Sequence, residues 1–530
     1  MTGLAGTWAL VRLGLRRDRI FIPVCVLLLV ILVAGSAKAT EDLYAQSAAD
    51  AINATLASPA IVAMYGPLAN IADPDSLAIF KTYLLGGIGL ALLAFSVVRR
   101  HTRTEEEAGR TELLGAAVVG RNAQLAAAVL LAAGATVATG ALGAVGLIGS
   151  GLGATGAWAF GVGWIAIGLS STAITAVAAQ LTTTSRGCAA WALGAMGVAY
   201  VLRAAGDTST GGLSFLTWLS PFGWAEKIGP YGANRFVVAV IPLLFTAALL
   251  TLAGVLLARR DIGAGVLPAR PGPASAGRSL RSPLGLAWRL HRGALIGWLI
   301  AYALLGLALG VVATSVSGMA ASESVQQMLH QLGGNTSSLS DAFLSTEMQF
   351  LAIGAAAYGI SAALRLRSEE TDLHTEQVLA TAVTRRSVLA GHSLIALAGS
   401  AALMIVFGLA SAFTYGRQTG GVGTAMDHLL AAALSTVPAV WICVGLALAI
   451  VGSMPRIVYL AWGLLAVFVV VGEFGTLLDL PAALIGISPF QHGQVLPGGS
   501  PQAAPLLALT AIAAILVVAA GITFRRRDIA

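Results

Sequence analysis

The sequence predicts an all-α polytopic membrane protein, and three observations carry that prediction. Apolar residues make up 57% of the 530 residues, and the mean hydropathy is +0.84. Charged residues make up only 10%, whereas a soluble domain usually carries about 25%. A soluble fold of this length could not cover its surface with so few charges, and a disordered chain would be rich in charge. The composition therefore excludes both of those classes.

Apolar runs long enough to cross about 30 Å of hydrocarbon as helices define the predicted spans. There are twelve, near residues 20–37, 82–98, 124–148, 157–181, 189–205, 237–258, 294–315, 347–364, 388–413, 428–452, 457–474 and 504–523. The first run is too long for the apolar part of a cleavable signal peptide, so we expect it to be a span.

The basic residues orient these spans. Most of the 31 lysines and arginines fall in segments on the side of the N-terminus. The opposite segments hold only Lys38, Lys81, Arg203, Lys227, Arg235 and Arg417. Basic residues concentrate on the cytoplasmic side of membrane proteins. The pattern predicts that both termini are cytoplasmic, and it explains the net charge of +7 without nucleic acid as a partner.

The two halves of the chain resemble each other. Short matches recur at nearly one offset: Thr111-Glu112 with Thr375-Glu376, Arg121 with Arg385, Ser220-Pro221-Phe222 with Ser488-Pro489-Phe490, and Arg259-Arg260-Asp261-Ile262 with Arg526-Arg527-Asp528-Ile529. Six spans in each half predict two parallel repeats, a design that places a pathway between the halves. We expect a first half at 1–263, a linker at 264–280 and a second half at 281–530.

Two polar segments, residues 99–122 and 365–386, follow the second span of each half. Each begins with basic residues, continues with an acidic cluster and ends near an arginine. Two of their glutamates are seven positions apart and would share one helix face. One interpretation is a solvated loop. The other is a docking helix that presents carboxylates to a cytoplasmic partner.

The glutamate pattern of these segments resembles the cytoplasmic loop of ABC-2-type exporter permeases. The whole chain resembles the fused twelve-span exporters of polyketide antibiotics, the tetronasin-type group. The resemblance implies that each segment is a coupling helix in a groove of an ATP-hydrolysing subunit, two copies of which would bind. It implies docking roles for Glu105, Glu106, Glu112, Arg121, Glu369, Glu370, Glu376 and Arg385.

The segments before the first span of each half have a helical pattern with an apolar and a basic stripe. In the first, Trp8 belongs to the apolar stripe, and Arg12 and Arg16 belong to the basic one. Trp288 and Arg289 occupy a less regular second copy. This pattern is typical of an interfacial helix, and it resembles the elbow helices of the same family. Ordinary basic flanks of a span are the alternative.

The chain offers no site for ATP. A P-loop requires Gly-Lys before Ser or Thr, and none of the three lysines follows a glycine. We therefore expect that the chain is not an enzyme and that a partner subunit binds ATP and Mg²⁺. The three cysteines are far apart and have no metal-binding spacing, so we expect no cofactor or metal in this chain.

Other candidate residues lie in the outer segments and in the spans. The resemblance implies that the segments around Pro221, Phe222, Pro489 and Phe490 re-enter the membrane and help to close the exit, with aromatic anchoring at the interface as the alternative. It also implies that the second and fifth spans of each half line the substrate path. The candidate lining residues are Tyr83, Phe95, Tyr200, Phe350, Tyr358 and Tyr459.

Together these observations predict the permease subunit of an ATP-driven exporter in the bacterial plasma (inner) membrane. The cargo would be lipophilic, such as drugs or antibiotics, because the spans offer few polar groups. The alternative is a proton-coupled secondary transporter with twelve spans, a class that is also built from parallel repeats. A membrane-embedded enzyme would need a cluster of polar catalytic groups near one interface, and the outer carboxylates are scattered.

Overall fold

The computed structural model describes residues 3–44, 59–70, 73–115, 118–209, 212–261, 263–267, 274–320, 337–474, 481–492 and 503–528. Within those ranges the chain is mostly helical and contains no β-strand. It divides into two compact units, Met1–Gly272 and Pro273–Ala530. The division falls inside the stretch that the sequence assigns to a linker.

The first unit contains eleven α-helices in its described part. They are α1 (Thr7–Arg17), α2 (Phe21–Tyr44), α3 (Pro59–Tyr65), α4 (Pro74–His101), α5 (Arg103–Glu107), α6 (Arg110–Gly115), α7 (Ala123–Gly149), α8 (Ala154–Leu181), α9 (Ser185–Thr208), α10 (Pro221–Ile228) and α11 (Val240–Ala258). Short 3₁₀ turns cover Ser214–Leu219 and Phe236–Ala239.

The second unit contains eight α-helices in its described part. They are α12 (Pro283–Ala320), α13 (Ser337–Thr371), α14 (His374–Leu379), α15 (Arg385–Thr419), α16 (Val422–Ser453), α17 (Leu460–Phe474), α18 (Ala482–Ile485) and α19 (Ala503–Arg526). Its 3₁₀ turns cover Arg278–Arg281, Pro455–Ile457 and Pro489–His492.

Ten helices in the described chain are long and apolar enough to cross a membrane, or 11 if α1 and the start of α2 count as one bent span. The apolar part of α17, Leu460–Val469, is shorter than a span requires. The chain is therefore a multi-pass helical membrane protein. The count of twelve spans and the parallel repeat remain predictions.

Each unit is built around one central helix. In the first unit, α8 packs against α4, α7 and α11, and its Trp164 and Phe160 are fully buried. Small residues let α7 and α8 approach closely: a Cβ added at Gly140 would lie 2.7 Å from the carbonyl oxygen of Gly161. In the second unit, α16 has the central position and packs against α13, α15 and α19. Close backbone approach of this kind is how helices associate in lipid, where no hydrophobic force drives them together.

The two predicted elbows differ in structure. In the first unit α1 is a separate helix, bent by 67° from the start of α2, and it ends at Asp18, whose N–H bonds to Gly14. In the second unit the predicted elbow is continuous with the first span, because α12 runs unbroken from Pro283 to Ala320. The bend that follows the first elbow therefore has no counterpart in the second unit, where the elbow role of Trp288 and Arg289 remains a prediction. The reason is local: Pro23 lacks an N–H in the first turn of α2 and favours a break there, whereas α12 has its only proline at its first residue.

Candidate functional site

We call residues 99–122 segment A. It begins at the end of α4 and includes the short helices α5 and α6. Its central carboxylate, Glu106, is bound by two arginines. Arg103 Nη1 donates to Glu106 Oε2 at 2.7 Å, and Arg260 Nη2 donates to Glu106 Oε1 at 2.6 Å. Since Arg260 follows α11, this carboxylate ties segment A to the last helix of its unit.

The neighbouring carboxylate ties segment A to the elbow helix. Glu105 accepts a hydrogen bond from Arg17, the last residue of α1, and Arg110 Nη1 lies 3.2 Å from its Oε1. A cavity of about 280 Å³ remains between α1 and segment A. Glu105 therefore holds two elements together around this cavity instead of pointing freely into solvent.

We call residues 365–386 segment B, and in it the same arrangement recurs within the second unit. Arg367 Nη1 donates to Glu370 Oε2 at 3.1 Å, and Arg527, at the end of α19, donates to Glu370 Oε1. Glu369 accepts from Arg365 at 2.9 Å. Its other oxygen lies 3.1 Å from His374 Nδ1.

Each segment has a second connection to the last helix of its unit. Arg121 Nη2 donates to the carbonyl oxygens of Leu257 at 3.0 Å and Arg260 at 2.7 Å. Arg385 Nη1 donates to the carbonyl of Arg527 at 2.7 Å. The last carbonyls of a helix lack intrahelical partners and carry partial negative charge, so a guanidinium stabilises them.

The predicted docking residues thus divide into a set that is bonded within its own unit and a set that is exposed. Glu105, Glu106, Glu369 and Glu370 are held in ion pairs, and Arg121 and Arg385 cap helix ends. Glu112 and Glu376 are exposed. The sequence interpretation missed the pairing role of Arg260 and Arg527, although their recurrence in the two Arg-Arg-Asp-Ile matches was the available signal.

The elbow residues are exposed in both units. The side chains of Trp8, Arg12 and Arg16 point away from the packed face of α1, which buries Val11 and Gly14. Trp288 is 48% exposed, and Arg289 beside it is also exposed. An exposed tryptophan beside arginines is typical of a helix at the membrane interface.

The two Ser-Pro-Phe matches both begin a short helical turn. In the first unit Ser220 caps α10 by accepting a hydrogen bond from the N–H of Phe222, and Pro221 and Phe222 are buried. In the second unit Pro489 and Phe490 are buried at the start of a 3₁₀ turn. Proline suits the first helical position because its missing N–H would be unpaired there.

The aromatic residues proposed for the substrate path do not share one environment. The buried ones are Tyr83, whose hydroxyl donates to the carbonyl of Ala225 at 2.7 Å, Phe95 and Tyr358. Tyr200 is half-buried and packs edge-on against Phe222. Phe350 and Tyr459 are exposed. Within its own unit each buried ring packs against neighbouring helices, and their role in a path remains a prediction.

The described residues include no group of three or more His, Cys, Asp or Glu side chains that could hold a metal ion. The conspicuous polar features are instead the ion-paired segments that tie together helix ends in each unit. Together with the long apolar helices, these segments define the class of the chain: a multi-pass, all-α membrane protein.

Comparison with known proteins narrows this class. The chain is 40% identical, over its whole length and 96% of the relative, to the multidrug efflux system permease protein Rv1217c of Mycobacterium tuberculosis. Residues 280–525 match the family described as the C-terminal domain of the multidrug efflux system permease Rv1217c. The chain therefore belongs to this family of efflux permeases.

Proposed function

We propose that this chain is the permease subunit of an ATP-driven ABC exporter, and that it moves lipophilic compounds such as drugs or antibiotics out of a bacterial cell across the inner membrane. The name of the relative supports multidrug efflux. The apolar spans, in which polar side chains are few, support a lipophilic cargo. The fused, tetronasin-type exporters remain the group that the chain as a whole resembles.

ATP hydrolysis is assigned to a separate subunit, present in two copies. The sequence has no Gly-Lys pair, and a phosphate-binding P-loop depends on that lysine. Segments A and B are the proposed docking sites, on the cytoplasmic side. This orientation has both termini in the cytoplasm and follows from the distribution of basic residues.

The docking proposal rests on one observation: each segment contains both a buried carboxylate that is ion-paired within its unit and an exposed carboxylate. Glu106 and Glu370 fix their segments to the last helix of each unit. Glu112 and Glu376 lie six residues further on and are exposed. A force applied by a partner at an exposed position would reach α11 or α19 through these ion pairs. We therefore assign partner contact to Glu112 and Glu376, and the transmission of movement to Glu106 and Glu370.

The docking proposal is tested by reversing the two exposed charges. We expect the Glu112→Arg and Glu376→Arg double variant to retain its size-exclusion profile and to lose most of a co-purifying P-loop ATPase, identified by mass spectrometry of the solubilised complex. Asp427→Arg is the matched control, since Asp427 is an exposed carboxylate at the start of α16. Undiminished ATPase recovery with the double variant would refute the docking assignment.

The energy source is tested separately in vesicles that contain the wild-type chain and the proteins that co-purify with it. Export of a fluorescent lipophilic dye should require ATP and should continue in the presence of an uncoupler. Export without nucleotide that the uncoupler abolishes would instead support the proton-coupled alternative. A chain that purifies alone and transports without ATP would overturn the proposal.

A further inference from the structure

A buried ionic cluster lies in the first unit, at the end of α4 opposite to segment A. Its centre is Arg203 of α9, whose side chain is completely buried. Arg203 Nη1 donates to Glu226 Oε1 of α10 at 3.0 Å, and Nη2 donates to the carbonyl of Ala63 in α3 at 2.6 Å. A second acid, Asp207, places Oδ2 3.6 Å from Arg203 Nη1.

The cluster contains one more acid than base. The side chains of Asp207 and Glu226 are only 1% and 6% exposed, and both lie beside the same nitrogen of Arg203, Nη1, at 3.6 Å and 3.0 Å. Asp207 Oδ2 and Glu226 Oε2 are both buried without a hydrogen-bond partner. Two ionised carboxylates in contact repel each other, whereas a carboxylic acid donates to a carboxylate. A proton on one of these two carboxylates removes the repulsion and supplies a donor.

We propose that Asp207 and Glu226 form a buried acid pair that binds a single proton, and that this proton holds α10 closed against α9 and α3. With the proton bound, the cluster is neutral, because one negative charge faces Arg203. Without it, a net negative charge is buried, and burying an uncompensated charge is costly. Losing the proton therefore favours release of α10, the segment that contains Pro221 and Phe222.

The other groups that face the pair fit a protonated Glu226. Thr217 donates to Asp207 Oδ1 at 2.7 Å, so a hydroxyl already stabilises one oxygen of the Asp207 carboxylate. Burial raises the pKa of Glu226 well above its ordinary value, and the contact with Asp207 raises it further, while Arg203 and the adjacent Lys227 oppose this. The rings of Tyr83 and Tyr200 complete the surroundings: Tyr83 donates to Ala225, and Tyr200 stacks on Arg203 at 4.4 Å.

The direction of the pH dependence follows from the raised pKa. Once α10 opens, water reaches Glu226 and its pKa returns toward about 4.3. The closed position of α10 is therefore most stable below that pH, where Glu226 is protonated in both the closed and the open state. The equilibrium constant for closing α10 falls as pH rises through the higher pKa of the closed state, by at most about tenfold per pH unit for one linked proton.

The test is hydrogen exchange of the amides in α10 as a function of pH, on the full chain in lipid nanodiscs and corrected for intrinsic exchange. In the wild type, we expect the protection of residues 222–228 to fall by up to about tenfold per pH unit above the ordinary glutamate pKa. Glu226→Gln keeps a donor toward Asp207 and cannot ionise, so its protection should not vary with pH. Asp207→Asn should be equally insensitive, and the exposed Asp427→Asn should behave like the wild type.

Infrared spectroscopy supplies an independent readout, in the wild type as well as in the Glu226→Gln variant. The wild type should show the C=O stretch of a buried carboxylic acid at neutral pH, with the shift in heavy water that marks an exchangeable proton. That band should disappear on raising the pH, and it should be absent from Glu226→Gln. Lack of a carboxylic-acid band in the wild type, or α10 protection that changes equally with pH in the wild type and in both amide variants, would overturn the proposal.

Discussion

Glu106 and Arg260 are 154 residues apart in the sequence and are joined by two hydrogen bonds, of 2.6 Å and 3.1 Å. Their side chains are 8% and 3% exposed. Arg260 is also bound to Gln180 of α8 at 2.8 Å. The pair thus joins segment A, the last helix of the unit and its central helix. A carboxylate that looks in the sequence like part of an exposed acidic loop is a structural anchor.

Removing this anchor should destabilise the protein. Glu106→Ala leaves Arg260 and Arg103 buried without their carboxylate, and breaking a buried ion pair from one side costs about 3 kcal/mol or more. For a unit of this size that corresponds to a fall in thermal midpoint of roughly 6 °C or more. The measurement is thermal unfolding of the chain in mild detergent, followed by intrinsic fluorescence.

Glu112→Ala is the matched control for that experiment, because it removes an exposed glutamate from the same segment. Its midpoint should stay within about 1–2 °C of the wild type, since exposed substitutions usually change stability by less than about 0.5 kcal/mol. Equal midpoints for the two variants would contradict the anchoring role of Glu106.

The corresponding pair in the second unit should show energetic coupling. Glu370 contacts Arg527 directly, so a double-mutant cycle of Glu370→Gln and Arg527→Gln should give a coupling free energy of about 1 kcal/mol or more. Combining Glu370→Gln with Glu112→Gln, which lies in the other unit, should give additive effects. Additive effects for Glu370 and Arg527 would mean that their contact contributes nothing to stability.

The sequence predicted the membrane class and most of the spans, because an apolar run of about 20 residues is typical of a membrane-spanning helix. It also located segments A and B, since charge clusters stand out in an apolar chain. It could not distinguish Glu106 from Glu112, because both are polar residues in a polar loop. Only the folded chain brings Arg260 beside one of them.

The buried cluster was missed for a related reason. Asp207 and Glu226 are assigned to one outer segment by the hydropathy pattern, and an isolated carboxylate there is expected to be solvated. Their burial depends on α3 and α10 packing against α9, which are contacts that no local pattern encodes. The continuous helix α12 was missed because an amphipathic pattern at a helix start does not reveal whether the helix bends afterwards.

Glycine substitutions should test a close helix contact in the first unit, between α4 and α8. A Cβ at Gly86 of α4 would lie 2.3 Å from the ring of Trp164, which is fully buried and held by a hydrogen bond to the carbonyl of Tyr83. Overpacking of this kind costs about 1–3 kcal/mol, so Gly86→Ala should lower the thermal midpoint by several degrees.

Gly134→Ala is the matched control, because Gly134 is also within a spanning helix and a Cβ there would meet nothing within 4 Å. This substitution should leave the midpoint unchanged or raise it slightly, since alanine is the better helix former. A Gly86→Ala variant as stable as Gly134→Ala would show that Trp164 can move away without cost.

The two Ser-Pro-Phe turns should respond differently to the same substitution, although the sequence makes them look equivalent. Ser220 accepts a hydrogen bond from the N–H of Phe222 at 3.2 Å, and loss of such a cap costs about 1 kcal/mol. Ser488 is equally buried, but its hydroxyl has no hydrogen-bond partner among the described residues.

Ser220→Ala should therefore lower the thermal midpoint by about 2–4 °C. Ser488→Ala should leave it unchanged or raise it, because a buried hydroxyl without a partner is itself unfavourable. Equal losses for both variants would show that the cap on α10 has no special role.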